Sequence, residues 1–325
     1  MTLTVLMPCY NSGLFIEQAV KSILNQTFKD FQFLIINDGS TDNTEEIVLS
    51  FHDPRIIYKK KEHTGLSDSL NYGIKLAQTE LIARMDADDL SHPKRLEKQY
   101  LFFRKIPGDK IISCWSAYFK QKNICYIIND KLESNTIKKN LLLHSYISHP
   151  GAFLSKSVVI NNGGYKGEVF EDYDLWLRIR NKVNFYIMPE VLIFQRIRKD
   201  SLSRENYFRK QKIHYAIQEP YYINNIIDFG IENKYEKIKF CGWREYFYGS
   251  RRNAIKNWTK LGWKYFLDLR ILIATIIMFL PANYFLKFKE LRLRYRLNYL
   301  INYSSRENKL LRFEFNNIAN KNYIL

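Results

Sequence analysis

The sequence predicts an α/β protein, a mainly parallel central sheet flanked by helices and followed by a mostly helical C-terminal extension. Three observations carry this expectation. The first hundred residues alternate short β-branched or aromatic runs with helical periods; polar clusters close three of those runs; and beyond Ser203 the pattern turns helical while positive charge accumulates. A β-α-β-α rhythm implies parallel strands with crossover helices on both faces. Ligands of such sheets bind beyond the carboxyl ends of the strands.

The first run, Leu3-Thr4-Val5-Leu6-Met7, closes on Pro8-Cys9-Tyr10-Asn11-Ser12. Phe15, Ala19 and Ile23 then share a helical face. The second run, Phe31 to Ile36, closes on Asn37-Asp38-Gly39-Ser40-Thr41-Asp42. Asp42 and Glu45 have capping-box spacing, so this segment is either a tight turn before a capped helix or a ligand-facing turn. In the second case Asp38 accepts from the imide of a uracil-like base and Tyr10 lies against that base. The third run, Arg55 to Tyr58, precedes Lys59, Lys60, Lys61, Glu62 and His63, a solvated face or a source of one lysine for an anion. Leu66, Leu70 and Ile74 define the next helical face, and Glu80 to Arg84 the fourth run.

That run ends in Met85-Asp86-Ala87-Asp88-Asp89. Carboxylates crowded this closely repel, so something must offset their charge. A divalent cation on oxygen ligands would do so and bring a diphosphate to the site. The competing reading is that Asp88, Asp89 or Ser91 caps a helix begun at Pro93.

After Lys105 the rhythm loosens. Ile111 to Phe119 and Cys125 to Ile128 are strand-like, Leu132 to Leu143 helical, Tyr146 to Leu154 extended, and Asn161 to Tyr165 a turn. His149, before Pro150, is either structural or a contact for an acceptor or phosphate. The segment Glu171 to Arg180 has an acidic start and a basic end, which suits a helix dipole. Dipole pairing explains one acid there better than three, and an ionised Asp172 or Glu171 can take a proton from an attacking hydroxyl. Strand-like runs follow at Asn184 to Met188 and Val191 to Ile197. Arg196, Arg198, Ser201 and Ser203 suit a pyrophosphate, with Arg196 the first choice.

A chain of 325 residues accommodates one ordinary domain and an appendage, here divided as 1–215 and 216–325. Four scattered cysteines without a C-x-x-C pair argue against a zinc or disulfide framework and fit a reducing compartment. The N-terminus runs directly into the first strand, which leads to the expectation of a cytoplasmic protein. From Cys241 onward there are 16 Lys or Arg against 5 Asp or Glu, so this stretch holds +11 of the +17 net charge. Trp243, Trp258, Trp263, Tyr265 and Phe266 precede an apolar run from Ile271 to Leu280. Only sixteen uncharged residues separate Arg270 from Lys287, broken by Pro281 and Asn283, whereas a spanning helix needs about 20. The run is therefore a buried helix or one lying at an anionic membrane interface. A nucleic-acid role would rest on charge alone, without a recognition motif, and is not expected.

Five pieces occur in one order: Val5-Leu6-Met7-Pro8-Cys9-Tyr10-Asn11, Ile36 to Asp42, Gly65 to Ile74, Met85 to Asp89, and Gly163-Gly164-Tyr165 ahead of Glu171-Asp172-Tyr173-Asp174-Leu175-Trp176. Over Leu3 to Ser203 the chain resembles the family-2 inverting glycosyltransferases, whose nucleotide-sugar-binding fold is called GT-A. The resemblance implies a donor site at Pro8, Tyr10, Asn11, Asp38, Gly65, Asn71 and Asp86, to which the late basic cluster adds Arg196. It implies Mg2+ or Mn2+ at Asp88 of the Asp86-Ala87-Asp88 motif, and a catalytic base at Asp172, with Glu171 as its substitute. The implied reaction is an inverting transfer from a nucleotide sugar, UDP-linked, to a hydroxyl of a surface glycan precursor such as lipopolysaccharide, O-antigen or capsule. A glycosyltransferase-like nucleotide-binding module without turnover is the alternative. The implied location is the inner face of the plasma membrane, peripherally bound. His63 stands where relatives commonly have asparagine. No Gln-x-x-Arg-Trp segment of processive synthases occurs, so one sugar per encounter is expected.

Overall fold

A computed structural model describes residues 1–130, 132–198, 207–224, 231, 233–279 and 315. Ser201, Ser203, Pro281 and Asn283 lie outside the described residues. The chain divides into two compact units, one of residues 1–134, 146–199 and 300–325, the other of 135–145 and 200–299.

In the first unit, β1 (Leu3–Cys9), β2 (Phe31–Asn37), β3 (Ile56–Lys60) and β4 (Leu81–Arg84) alternate with α1 (Ile16–Leu24), α2 (Thr44–Leu49) and α3 (Leu66–Leu76). These four strands are parallel, with β1 between β2 and β4 and β3 outside β2. Every residue of β1 and β2 is buried, as in strands covered on both faces. There follow β5 (Leu90–Ser91), α4 (Arg95–Lys105), β6 (Lys110–Lys120), β7 (Asn123–Ile128), then α5 (Ser134–Asn140), which belongs to the second unit but for its first residue, and β8 (Phe153–Ser155), α6 (Lys156–Ile160), α7 (Glu171–Ile179) and β9 (Asn184–Arg196). The sheet runs β3-β2-β1-β4-β8-β6-β9-β5, with β7 on β6. β8 is antiparallel to both neighbours, whereas β6 and β9 are parallel. The expected α/β architecture is thus present.

Local differences have physical causes. The two strands expected between Asn184 and Ile197 are one, because Pro189 and Glu190 bulge out between the pairs Cys114–Met188 and Trp115–Val191, and a bulge accommodates a residue that cannot donate to the ladder. The stretch expected to be extended contains a 3₁₀ turn at His149–Gly151 before β8. Helix α4 starts behind Lys94 without a side-chain cap, so neither Asp88, Asp89 nor Ser91 caps it. Ser91 instead lies in β5 and accepts from Gln26 Nε2 at 3.1 Å. Asp42 is not the N-cap of α2, a place taken by Asn43 without a side-chain cap bond; from one residue further out its Oδ1 accepts from the amide of Thr44, the first helical residue, at 3.0 Å.

The second unit is helical: α8 (Tyr207–Asn224), α9 (Lys234–Tyr248), α10 (Arg251–Thr259) and α11 (Leu269–Met278). Tyr246, Ala254, Trp258, Leu261, Ile271, Ala274 and Met278 form its core. Helices α9 and α10 approach so closely that a β-carbon on Gly242 would lie 2.0 Å from Trp258 Nε1. Asn233 caps α9 and Asp268 caps α11 through their side chains, as short polar residues do at helix starts.

Candidate active site

The carboxyl ends of β1, β2 and β4 meet at one rim, since β1 is hydrogen-bonded to both others. Two loops there are laced together. Asn11, with φ of 45°, accepts from the Thr41 amide at 2.9 Å and donates its own amide to Ser40 Oγ at 3.0 Å. Ser12 and Gly13 amides donate to Thr44 Oγ1 and Asp42 Oδ2. Asn11 therefore holds the loop, Pro8 is buried inside β1, and Tyr10 is left exposed. Its ring stacks on His63, centroids 4.0 Å apart and 17° from parallel.

Asp38 organises the segment that carries His63. Its carboxylate accepts from the amides of Thr64 and Gly65 at 3.1 and 2.9 Å, pairs with Lys61, and lies 2.8 Å from His63 Nδ1. Burial pushes this carboxyl up, but the donors from Lys61, Thr64 and Gly65 outweigh it and hold it below the usual carboxylate range. To meet a base, Asp38 must exchange one of these partners. Gly65 has φ of 100°, a conformation that side chains disfavour, and it opens α3. Asn71, on α3, spends its amide on the Tyr165 backbone in both directions, at 2.9 and 2.8 Å. It clamps the Gly163-Gly164 turn.

The end of β4 is fixed by Arg95, which donates to the Arg84 carbonyl at 2.6 Å, and by the Met85 amide on Leu6. Beyond it Asp86, Asp88 and Asp89 each bring one oxygen within 4.8 Å of the others. Three cationic residues attend them. Buried Arg84 pairs with Asp86 at 2.5 Å. Arg196 donates its amide to Asp89 Oδ1 and its Nε to the Asp88 carbonyl, both at 2.8 Å. Arg198 pairs with Asp88 Oδ2 at 3.3 Å. Burial, then Asp86, pushes the Asp88 carboxyl up, with Arg198 opposing. Asp89 is raised well above the usual range by burial and by Asp88 and Asp86. An all-oxygen set with this residual strain fits Mg2+ or Mn2+, provided that Arg198 yields Asp88. Arg196 is less available than expected, because its Nη2 donates to Gln18 and its guanidinium lies between the rings of Phe15 and Phe119. Arg198 is the cation facing the carboxylate of Asp88.

The second acidic group opens α7. Phe170, at φ 60° and ψ 31°, is left-handed, and such a conformation in a bulky residue turns the chain sharply into the helix at a local cost. Glu171 Oε1 lies 3.2 Å from His149 Nδ1, and His149 Nε2 lies 3.4 Å from the Tyr165 hydroxyl. Burial raises the Glu171 carboxyl, but His149, the helix start and Arg84 together bring it below its ordinary value. Asp172 goes the other way: burial, helped by Glu171, raises it against the pull of His149 and Arg84. Arg84 is within electrostatic range of Asp86 and Asp89 and also of Glu171 and Asp172. Sequence reasoning missed Arg84 and the His63 stack. The signal for the former was a charged residue closing the apolar run Leu81-Ile82-Ala83 of a central strand.

The model of Glycosyl transferase family 2 matches residues 4–162. The O-antigen biosynthesis glycosyltransferase WbnJ of Escherichia coli is 31% identical over 225 residues, which are 67% of this chain and 88% of WbnJ. The chain belongs to glycosyl transferase family 2. An uncharacterized glycosyltransferase of Rickettsia typhi is 33% identical over 203 residues, 60% of this chain, and the match spans only 63% of that relative's length. Among solved structures, S. aureus TarS with UDP-GlcNAc superposes with a TM-score of 0.57 at 14% identity, over 82% of this chain and 92% of that one. The mannosyltransferase PcManGT from Pyrobaculum calidifontis, solved with GDP-Man and Mn2+, gives 0.53 at 15% identity, over 99% and 87%. These likenesses establish the GT-A fold for this family-2 chain.

Proposed function

We propose that this family-2 chain is an inverting, non-processive glycosyltransferase that moves one sugar from a nucleotide-diphosphate donor, UDP-linked, to a hydroxyl of a cell-surface glycan precursor. The observation that carries the reading is the convergence of two carboxylate groups about Arg84: Asp86, Asp88 and Asp89 on one side, Glu171 and Asp172 on the other.

Asp172 is the base. Its partner Glu171 is engaged by His149, and the raised proton affinity of Asp172 suits acceptance of a proton from an attacking hydroxyl. The acceptor oxygen bonds to the anomeric carbon as the bond to the diphosphate breaks, so the configuration inverts and the hydroxyl proton passes to Asp172. Tyr10, with His63 beside it, offers a stacking surface for the base of the donor. Asp88, with Asp86, would hold Mg2+ or Mn2+, whose chemistry when bound is to stabilise negative charge on the diphosphate. The donor class is supported by TarS and PcManGT, solved with UDP-GlcNAc and GDP-Man, and the acceptor class by WbnJ. Residues 216–325, basic and aromatic, are proposed to keep the protein peripherally on the inner face of the plasma membrane, near a lipid-linked acceptor.

A thermal-shift panel of UDP-, GDP-, CMP- and dTDP-sugars with and without Mn2+ tests this. A donor at about 100 times its dissociation constant adds about 2.7 kcal/mol of stability. Absence of any metal-dependent response would sink the assignment.

A further inference from the structure

Helix α11 is apolar on both sides, and only one side is used. Ile271, Ala274 and Met278, spaced as one stripe, are buried in the core of the second unit. Leu269, Ile273 and Ile276 form the opposite stripe and face outward with Phe279 just beyond; Phe266 and Leu267 precede them, and all six are between 46% and 78% exposed. Trp263, in the 3₁₀ turn Gly262–Tyr265, is 70% exposed as well. A soluble surface rarely leaves so many large apolar side chains together without an occupant.

The charge around this face says which occupant. From Arg251 to Phe279 the sequence has six Lys or Arg and one acid, Asp268. Asp268 is buried and ionised, its pKa drawn down to about 2 despite burial by Arg270 and Lys239; its single charge is more than offset by these two partners. Arg252 and Lys256 on α10, Lys260 at its C-cap and Arg270 on α11 are exposed. A second copy of the chain would set these cations against themselves. A membrane-spanning arrangement is also unsuited, because α11 has ten residues, about 15 Å of rise against a hydrocarbon core of about 30 Å, and no described helix is long and apolar enough to cross. An anionic lipid surface accepts both features: acyl chains take the apolar stripe while headgroups pair with the cations.

We propose that the outward face of α11, with the turn at Trp263 to Leu267, lies flat in the headgroup boundary of an anionic leaflet and is the docking surface of this protein. The inference deepens the membrane-surface reading above and rests on it. In this arrangement Ile273 and Ile276 enter the acyl boundary and the exposed cations of the same unit meet the headgroups.

The test is flotation of the full chain with vesicles of phosphatidylcholine alone or with about 30% phosphatidylglycerol. The wild type should float with the anionic vesicles, and the double variant Ile273→Glu, Ile276→Glu should lose this binding by about tenfold or more. Leu101→Glu, an exposed leucine on α4, should bind as the wild type does. Should the first variant misfold by circular dichroism, the charge reversal Arg252→Glu, Lys256→Glu, Lys260→Glu provides the same decision without touching the apolar stripe. Binding of wild type and both variants to the same extent overturns the face while leaving membrane association standing. No binding of wild type to anionic vesicles overturns both. Equal binding to neutral vesicles, or a wild-type dimer that the apolar variant dissolves, also overturns the proposal, the latter in favour of a second copy.

Discussion

Replacing Arg198 by glutamine should tighten Mn2+ binding, because the guanidinium and a divalent cation compete for the same carboxylate oxygen. The separation between Arg198 Nη1 and Asp88 Oδ2 is 3.3 Å, and the two side chains are 21% and 25% exposed. Coulomb's law at that distance with an effective dielectric of about 20 gives about 5 kcal/mol of gross attraction. Solvent and the cost of ordering both side chains reduce this to about 1 kcal/mol. Each 1.4 kcal/mol is about tenfold, so the variant should bind Mn2+ about fivefold more tightly by isothermal titration calorimetry in the absence of donor. An unchanged or weaker Mn2+ affinity in a folded Arg198→Gln protein would refute the competition and the assignment of Asp88 as ligand.

Asp172→Asn should lower kcat by about 10²- to 10⁴-fold while calorimetric donor affinity is retained; normal turnover would end its role as base. The same variant should unfold at a higher temperature at neutral pH. The Asp172 carboxyl is raised in the fold, so its contribution is favourable below the unfolded pKa of about 3.9 and is lost as pH rises through the raised value. Glu171 has the opposite sign: lowered in the fold, it stabilises above about pH 4.3 and loses this as pH falls through its lower native value. Glu171→Gln should therefore flatten the acid limb of a stability-against-pH curve, and an unaltered limb would count against the His149 pairing. Gly242→Ala should cost about 1–3 kcal/mol by overpacking against Trp258, read as a lower urea midpoint by tryptophan fluorescence.

The first four strands were legible because each is a continuous apolar run closed by polar residues, and the structure adds only one or two residues to their ends at Cys9, Asn37 and Lys60. Leu90–Ser91 escaped because two residues have no periodicity; only pairing with Phe194 and Ile193 makes them a strand. The acidic clusters were legible as clusters, yet their partners were not. Arg84 is far in sequence from Glu171, and nothing in the local pattern reveals that a strand end and a helix start share one charge. Arg196 was favoured over Arg198 for the same reason. Choosing between two arginines two residues apart depends on the rings of Phe15 and Phe119, which only the tertiary fold brings together. The α11 run showed hydrophobicity but not direction, since an all-round apolar helix gives no moment to reveal which side is covered.

The buried guanidinium of Arg84 has an evolutionary consequence. It is fully enclosed, and a charge so placed is tolerated only while its carboxylate neighbours remain. A descendant that replaced Asp86 would remove the carboxylate that Arg84 pairs with directly, and one that replaced Arg84 would leave Asp86, Asp89, Glu171 and Asp172 without their shared counter-charge. Positions 84, 86 and 171 should therefore tolerate change only together, a single substitution at any one of them costing more than a matched exchange.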